Sequence, residues 1–304
     1  MQSSNMLFLF LIFFSPVISL SASDWIISWI GMELGIVGLF PLMLFSATTS
    51  SKESMLKYFL VQSMASLFLL ISGIVYFNFC SQMNLSLYLF LFSLSLKLGF
   101  FPGHFWVPSV VSYLSWVSNL LILGPVKIAP FGFLSFMLIN NSSIVCLILI
   151  LGSLSALLGA VLGNNQTMVR GMLGSSSISH SGWMCVSACF GCLWGYLFSY
   201  IITLCFLFLA LYSFDYFSIS VLMLSLTGLP PFIMFLMKMK VLFFSFVTLE
   251  YCVFSILILS SIISLNFYLK FFYYFILTLE PDNRYFLTIF SFVNFMGAAF
   301  ILLY

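Results

Sequence analysis

Three lysines, Lys97, Lys127 and Lys238, stand inside apolar stretches, and one carboxylate, Glu33, stands in another. Ionisable side chains are costly within a bilayer and persist there where they line a pathway or pair with one another. The chemistry open to amines and a carboxylate in such surroundings is proton exchange. Lost hydration penalises a charge, and a neighbouring opposite charge restores it. Glu33 needs a partner at its depth, and Lys97 is the natural one. At a separation of about 7 Å and an effective dielectric of about 20, their attraction is about 2.4 kcal/mol. That is enough to switch a lysine between holding and releasing a proton.

Two of these lysines adjoin sequences that break helices. Lys97 closes the uncharged run 85–98 and precedes Gly99-Phe100-Phe101-Pro102-Gly103, and Lys238 follows Gly228-Leu229-Pro230-Pro231. Proline removes a backbone donor and interrupts the helical ladder, so each break frees carbonyls that make a polar pocket at depth. Lys127 lies between Pro125 and Pro130 and reads as a further station. Lys240 faces a different direction from Lys238 and reads as an edge or packing residue. His104, just after the first break, and His180, inside Ser175-Ser176-Ser177-Ile178-Ser179-His180-Ser181, titrate near neutrality and are further relay candidates. Each residue also has a plainer reading: a lysine snorkelling to the interface, a static buried pair, or a histidine and serines that only knit helices together. Gln62 and Asn266, two amides in apolar runs, carry the same ambiguity.

Composition requires a membrane. Of 304 residues, 63% are hydrophobic and 5% charged, and the mean hydropathy is +1.23. Soluble domains do not reach such values. The formal charge of +2 and the absence of a basic patch exclude a nucleic-acid partner. No cleavable signal is expected, because no Lys or Arg precedes the first apolar run. Phosphate loops, zinc spacings, CxxC pairs and nucleophile elbows are missing. Cys185, Cys189 and Cys192 have a C-x3-C-x2-C spacing but no loop to wrap a cluster. They read as buried thiols that pack as small hydrophobes, while Cys146, Cys205 and Cys252 fall in apolar runs and Cys80 near the end of one.

Breaks between apolar runs predict an all-α polytopic bundle of about eleven helices in a single transmembrane domain. The spans are 6–20, 24–46, 54–78, 84–118 (interrupted near 99–103), 120–139, 143–162, 172–191, 194–213, 217–247 (interrupted near 228–231), 250–274 and 284–304. Lys52, Lys57, Arg170, Lys270 and Arg284 fall at ends on the N-terminal side, and Asp24 and Glu250 on the other. The positive-inside rule then places the N-terminus on the side of synthesis and the C-terminus on the other, which in a mitochondrial inner membrane are the matrix and the intermembrane space. Glu33 with Lys97, and His180 with Lys238, each place a polar residue two helices before a lysine in a broken span. This pattern predicts repeat units 6–139 and 143–274, related by inversion, with a final helix 284–304.

Several segments, in order, carry a resemblance: Trp29-Ile-Gly-Met-Glu33-Leu, Leu56-Lys57-Tyr-Phe-Leu-Val-Gln62, Leu96-Lys97-Leu-Gly, His104-Phe-Trp-Val-Pro108, Leu114-Ser-Trp116, Lys127-Ile-Ala-Pro130, Asn165-Gln-Thr167, Arg170, Ser175 to Met184, Leu226-Thr-Gly-Leu-Pro-Pro-Phe232 and Leu265-Asn-Phe-Tyr268. The chain resembles the antiporter-like membrane-arm subunits of mitochondrial NADH:ubiquinone oxidoreductase, respiratory complex I, in the family of its chain 2. The resemblance spans nearly the whole sequence. It implies relatedness to cation/proton antiporters and a version lacking three N-terminal helices of the bacterial form. It also implies a proton relay through Glu33 and Lys97 as the glutamate–lysine pair, Lys127 as the connecting lysine and Lys238 as the lysine of the second broken helix. Flavin, iron–sulfur clusters and quinone are expected in other subunits and no cofactor in this chain. Expected partners are other membrane-arm subunits and lipids, with only protons and water as substrate. The chain departs from the family pattern at Gly103, where a phenylalanine is common, at Ser109, where an acidic residue is common, and at Met237, where a proline usually precedes the lysine. A standalone cation/proton antiporter and a purely structural scaffold of the membrane arm are the alternative functions.

Overall fold

The computed structural model describes residues 3–44, 48–78, 84–230 and 232–277, and all regular structure among them is helical. The chain forms two compact units, Met1–Ile144 and Val145–Tyr304. The expected span at 284–304, with Arg284, and Cys80 lie outside the described residues.

The first unit holds α1 (Ser3–Ser21), α2 (Trp25–Leu44), α3 (Thr49–Asn78), α4 (Asn84–Leu98), α5 (Trp106–Val111), α6 (Trp116–Leu123), a 3-10 turn at Pro125–Lys127 and α7 (Ile128–Asn140). On α2 the buried positions Ser28, Gly31, Met32, Gly35, Ile36, Gly38 and Leu39 recur at helical spacing and form one stripe. Their small members admit α1: a side chain on Gly31 would meet the backbone of Ser19, and one on Gly35 the hydroxyl of Ser15. Close approach through small residues is how helices associate where lipid removes the hydrophobic drive. On α3, Leu60, Met64, Leu67 and Ile71 form an exposed apolar stripe, as a bilayer-facing surface requires. Lys52, Glu53 and Lys57 stand exposed on its first turns.

Six helical stretches are long and apolar enough to cross a membrane, among the described residues. The 15 residues of α4 are too few, at about 20 per crossing. Together with the turn after it and α5 they form one discontinuous span. That span stops earlier than the sequence predicts: α5 ends at Val111, and residues 112–115 turn before α6 begins. The amide of the buried Asn119 donates to the Val111 carbonyl at 2.9 Å and closes this end. The stretch expected as an unbroken helix over 120–139 is itself interrupted, at Gly124 and the 3-10 turn that carries Lys127. Proline at the first positions of a helical segment costs little, so Pro125 and Pro130 mark the restart of a helix rather than its absence.

The second unit holds α8 (Val145–Asn164), α9 (Val169–Cys189), α10 (Leu193–Ser213), α11 (Tyr216–Thr227), α12 (Ile233–Val247) and α13 (Tyr251–Leu277). Its centre is α9, buried at every residue from Gly171 to Ala188 and packed by α8, α10, α12 and α13. Such a position explains a serine-rich membrane helix, since α9 is shielded from lipid on all sides. Gly152 and Gly159 of α8 touch the backbone of α9 at Gly182 and Ser179. The short link around Asp215 consists of Phe214 in the left-handed region (φ 57°) and Asp215, whose carboxylate accepts from the Ser213 hydroxyl at 3.0 Å. At 12 and 15 residues, α11 and α12 are the two parts of a second discontinuous span.

Candidate functional site

The first break ends α4 by removing donors and then replaces them. Pro102 has no N–H for the Leu98 carbonyl, and Gly99 takes φ +72°, a conformation open to glycine and rare for other residues. The carbonyls of the last turn find other partners. Ser95 accepts from the Gly99 amide at 2.9 Å. Leu96 accepts from the Trp106 indole at 2.9 Å, and Lys97 accepts from the Gln62 amide at 3.3 Å. Gly103 lets the turn fold back on α4, because a Cβ there would fall 2.7 Å from the Leu96 Cα. The residue that departs from the family pattern is thus at a close approach of two backbones.

In this frame Lys97 points into the unit. Its Nζ donates to Glu33 Oε1 at 3.1 Å, with the lysine side chain 3% and the glutamate 26% exposed. The two are in direct contact, closer than the separation of about 7 Å assumed from the sequence. At this distance and an effective dielectric of about 20, their attraction is roughly 5 kcal/mol. Desolvation costs several kcal/mol for each buried ion and opposes that attraction. The amine also lies in the last turn of α4, where the helix dipole favours a cation. Tyr58 is buried against Trp106, with ring centroids 5.6 Å apart, and its hydroxyl has no hydrogen-bond partner. His104 is buried between Phe101 and Phe105, with ring centroids at 6.0 and 4.0 Å. Its Nδ1 is unpartnered, and it makes no hydrogen bond to Lys97 or Glu33. Lys127, also of the first unit, is buried at the end of its 3-10 turn, and its backbone amide donates to Gly124.

The second break uses the same device with a different outcome. Residue 231 is proline, so the Thr227 carbonyl has no helical donor. Gly228 takes φ +77° at the end of α11. Lys238, buried on α12, lays its methylene stem across Gly228, and its Nζ donates to the Thr227 carbonyl at 2.6 Å. The amine also stands over the Trp183 ring, 5.4 Å from its centroid. Lys240 is exposed. One turn before Trp183, His180 is buried with Nδ1 at 3.0 Å from the Tyr196 hydroxyl and Nε2 at 3.4 Å from that of Tyr268. The serines around His180 are buried and donate within their own helix. Ser175, Ser176, Ser177, Ser179 and Ser181 each donate to the carbonyl three residues earlier.

The structure therefore joins Glu33 to Lys97, with Gln62 supporting the helix end, and places His180 one turn from the tryptophan under Lys238. It leaves His104 in an aromatic slot and Asn266 exposed. Sequence reasoning missed the places of Tyr58, Tyr196, Tyr268, Trp183 and Thr227, of which only Thr227 left a readable signal, in the donor that Pro231 lacks. Among the described residues, no group of three or more His, Cys, Asp or Glu could hold a metal. Cys185 is buried and Cys189 half-buried, with the Cys189 thiol directed at the Val145 and Cys185 carbonyls.

Comparison with known proteins places the chain. The family model described as NADH:quinone oxidoreductase/Mrp antiporter, transmembrane, matches residues 22–220. A NADH-ubiquinone oxidoreductase chain 2 from Albinaria caerulea is 37% identical over 288 residues, covering 93% of this chain and 94% of the relative. One from Anopheles gambiae is 35% identical, covering 88% and 84%. A chain of respiratory complex I from Thermus thermophilus shares the fold with TM-score 0.82 at 21% identity, covering 98% of this chain and 77% of its own. The chain belongs to the NADH-ubiquinone oxidoreductase chain 2 family, within the antiporter-like membrane subunits.

Proposed function

We propose that this chain moves protons across the mitochondrial inner membrane as a subunit of respiratory NADH:ubiquinone oxidoreductase, driven by redox chemistry in other subunits. The observation that carries this reading is the buried Lys97–Glu33 contact at the end of a broken helix, in a chain of this family. Lys97, Lys127 and Lys238 are the amines that take up and release protons through transient water, and Glu33 sets when Lys97 lets go. His104 and His180 serve the same relay. Flavin, iron–sulfur clusters and quinone belong to other subunits. The partners are neighbouring membrane-arm subunits and lipids. The N-terminus faces the matrix, as the exposed Lys52 and Lys57 on the first turns of α3 support. The two compact units correspond to two repeats, each built around a broken helix and its lysine.

The test replaces Lys97 with Met, or Glu33 with Gln, in the assembled complex and measures protons moved per NADH oxidised. The reading expects that ratio, the rate, or both to fall in complexes that still assemble. Unchanged values for both variants contradict it. A scaffold role predicts loss of assembly with no change in the ratio of what remains.

A further inference from the structure

We propose that Trp183 is a positioning residue for Lys238, whose indole face holds the amine at the second break while it is charged and offers nothing to it once neutral. The proposal rests on the proton-moving role given above and names a group that role does not use. Three neighbours define the place of the amine. The Thr227 carbonyl accepts from Nζ at 2.6 Å. Gly228 lets the methylene stem pass, since a Cβ there would fall 2.7 Å from the lysine Cδ. The Trp183 ring centroid lies 5.4 Å from Nζ, inside the range of about 6 Å over which an aromatic face attracts a cation. Among the described residues, no carboxylate forms an ion pair with Lys238.

These neighbours respond differently to the proton. An ammonium has three N–H donors, and a neutral amine keeps two of them, so either form can serve the Thr227 carbonyl. The ring face offers only the attraction of its negative quadrupole for positive charge. Glu33 beside Lys97 can itself take up a proton, whereas an indole is a donor only and does not. Lys238 therefore changes charge against a partner of fixed state. The ring has little freedom to follow the amine. Trp183 is 2% exposed on α9. Gly182, the residue before it, lies so close to α8 that a Cβ there would fall 2.4 Å from the Ala156 nitrogen. A face fixed in this way favours the charge without reorganising when the charge appears.

The experiment compares Trp183→Phe with Trp183→Leu in the assembled complex, two side chains of similar size of which one keeps a π face. It reads NADH oxidation, protons moved per NADH and the temperature at which the complex dissociates on native gels. Trp183→Leu is expected to lower proton-coupled turnover about tenfold and Trp183→Phe about threefold or less, because Phe holds a cation less well than Trp and Leu not at all. Trp194→Leu, at an exposed tryptophan of α10, should match the parent. The Phe variant should also dissociate at a higher temperature than the Leu variant. That gap should close when Lys238→Met is added to each, since no cation remains to be held, and it can be read even where turnover is lost. Equal turnover in the Phe and Leu variants, or a thermal gap of the same size with and without Lys238, makes the ring a packing residue and overturns the proposal. Where a variant assembles poorly, values for the assembled fraction decide between the same outcomes. Failure here with Lys97→Met still lowering the proton ratio would leave the proton-moving role standing. Unchanged ratios in Lys97→Met and Glu33→Gln would remove that role, while a thermal gap tied to Lys238 would still stand.

Discussion

Lys97 and Lys238 both address the carbonyl end of a helix that a glycine and a proline have cut short, yet their amines are held in opposite ways. Lys97 lies before its break and contacts a carboxylate at 3.1 Å. Lys238 lies after its break and reaches back to a neutral carbonyl at 2.6 Å, over an indole face. In the first unit the backbone carbonyls freed by the break are taken by Gln62 and Trp106, which leaves the lysine free for Glu33. In the second the lysine itself serves as the missing donor. The same interruption thus yields an amine paired with a carboxylate in one unit and an amine held by a carbonyl and an indole face in the other. Where Glu33 precedes Lys97, the second unit has His180 between the hydroxyls of Tyr196 and Tyr268.

The largest effect expected from this difference is on assembly and stability. Glu33→Ala leaves a buried ammonium unpaired and should cost about 3–5 kcal/mol, read as loss of assembled complex on native gels or faster thermal inactivation. Lys238→Met leaves only the Thr227 carbonyl without a donor and should cost about 1–3 kcal/mol by the same measurements. Equal losses would erase the distinction between the two sites. Smaller still is the strain at the breaks. Gly228→Ala forces a left-handed alanine at about 1–2 kcal/mol and displaces the Lys238 stem, which lies 2.7 Å from the new Cβ. Gly191→Ala carries the same strain at φ +73° with nothing within 4 Å, so it should spare proton movement where Gly228→Ala does not. The smallest change is Gln62→Leu, which removes one donor from the Lys97 carbonyl at about 1 kcal/mol and should affect the first unit alone.

Much of this was readable from residue order. Gly99, Pro102, Gly228 and Pro230-Pro231 announced two discontinuous spans, because glycine and proline act on the backbone locally. The Glu33–Lys97 partnership followed from the cost of leaving either charge alone in an apolar run. The interruption at Gly124 did not show, since apolar side chains run across it and its prolines sit where helices tolerate them. Nor did the end of α5 at Val111, which depends on the amide of Asn119 capping a carbonyl across a turn. The tyrosines around His180 were hidden for another reason. They lie 16 and 88 residues away in sequence, in a chain so rich in aromatics that no single hydroxyl stands out. The serines around His180 left two readings open in the sequence, and their bonds to carbonyls three residues earlier show how a hydroxyl on a buried helix is satisfied on its own backbone.

The most direct test is Lys97→Arg in the assembled complex, with protons moved per NADH measured beside the parent. Arginine keeps the charge and the Glu33 contact but does not release its proton. The account predicts a complex that assembles and moves fewer protons per NADH. Full proton movement with arginine at this position would show that Lys97 need not exchange a proton, and would contradict it.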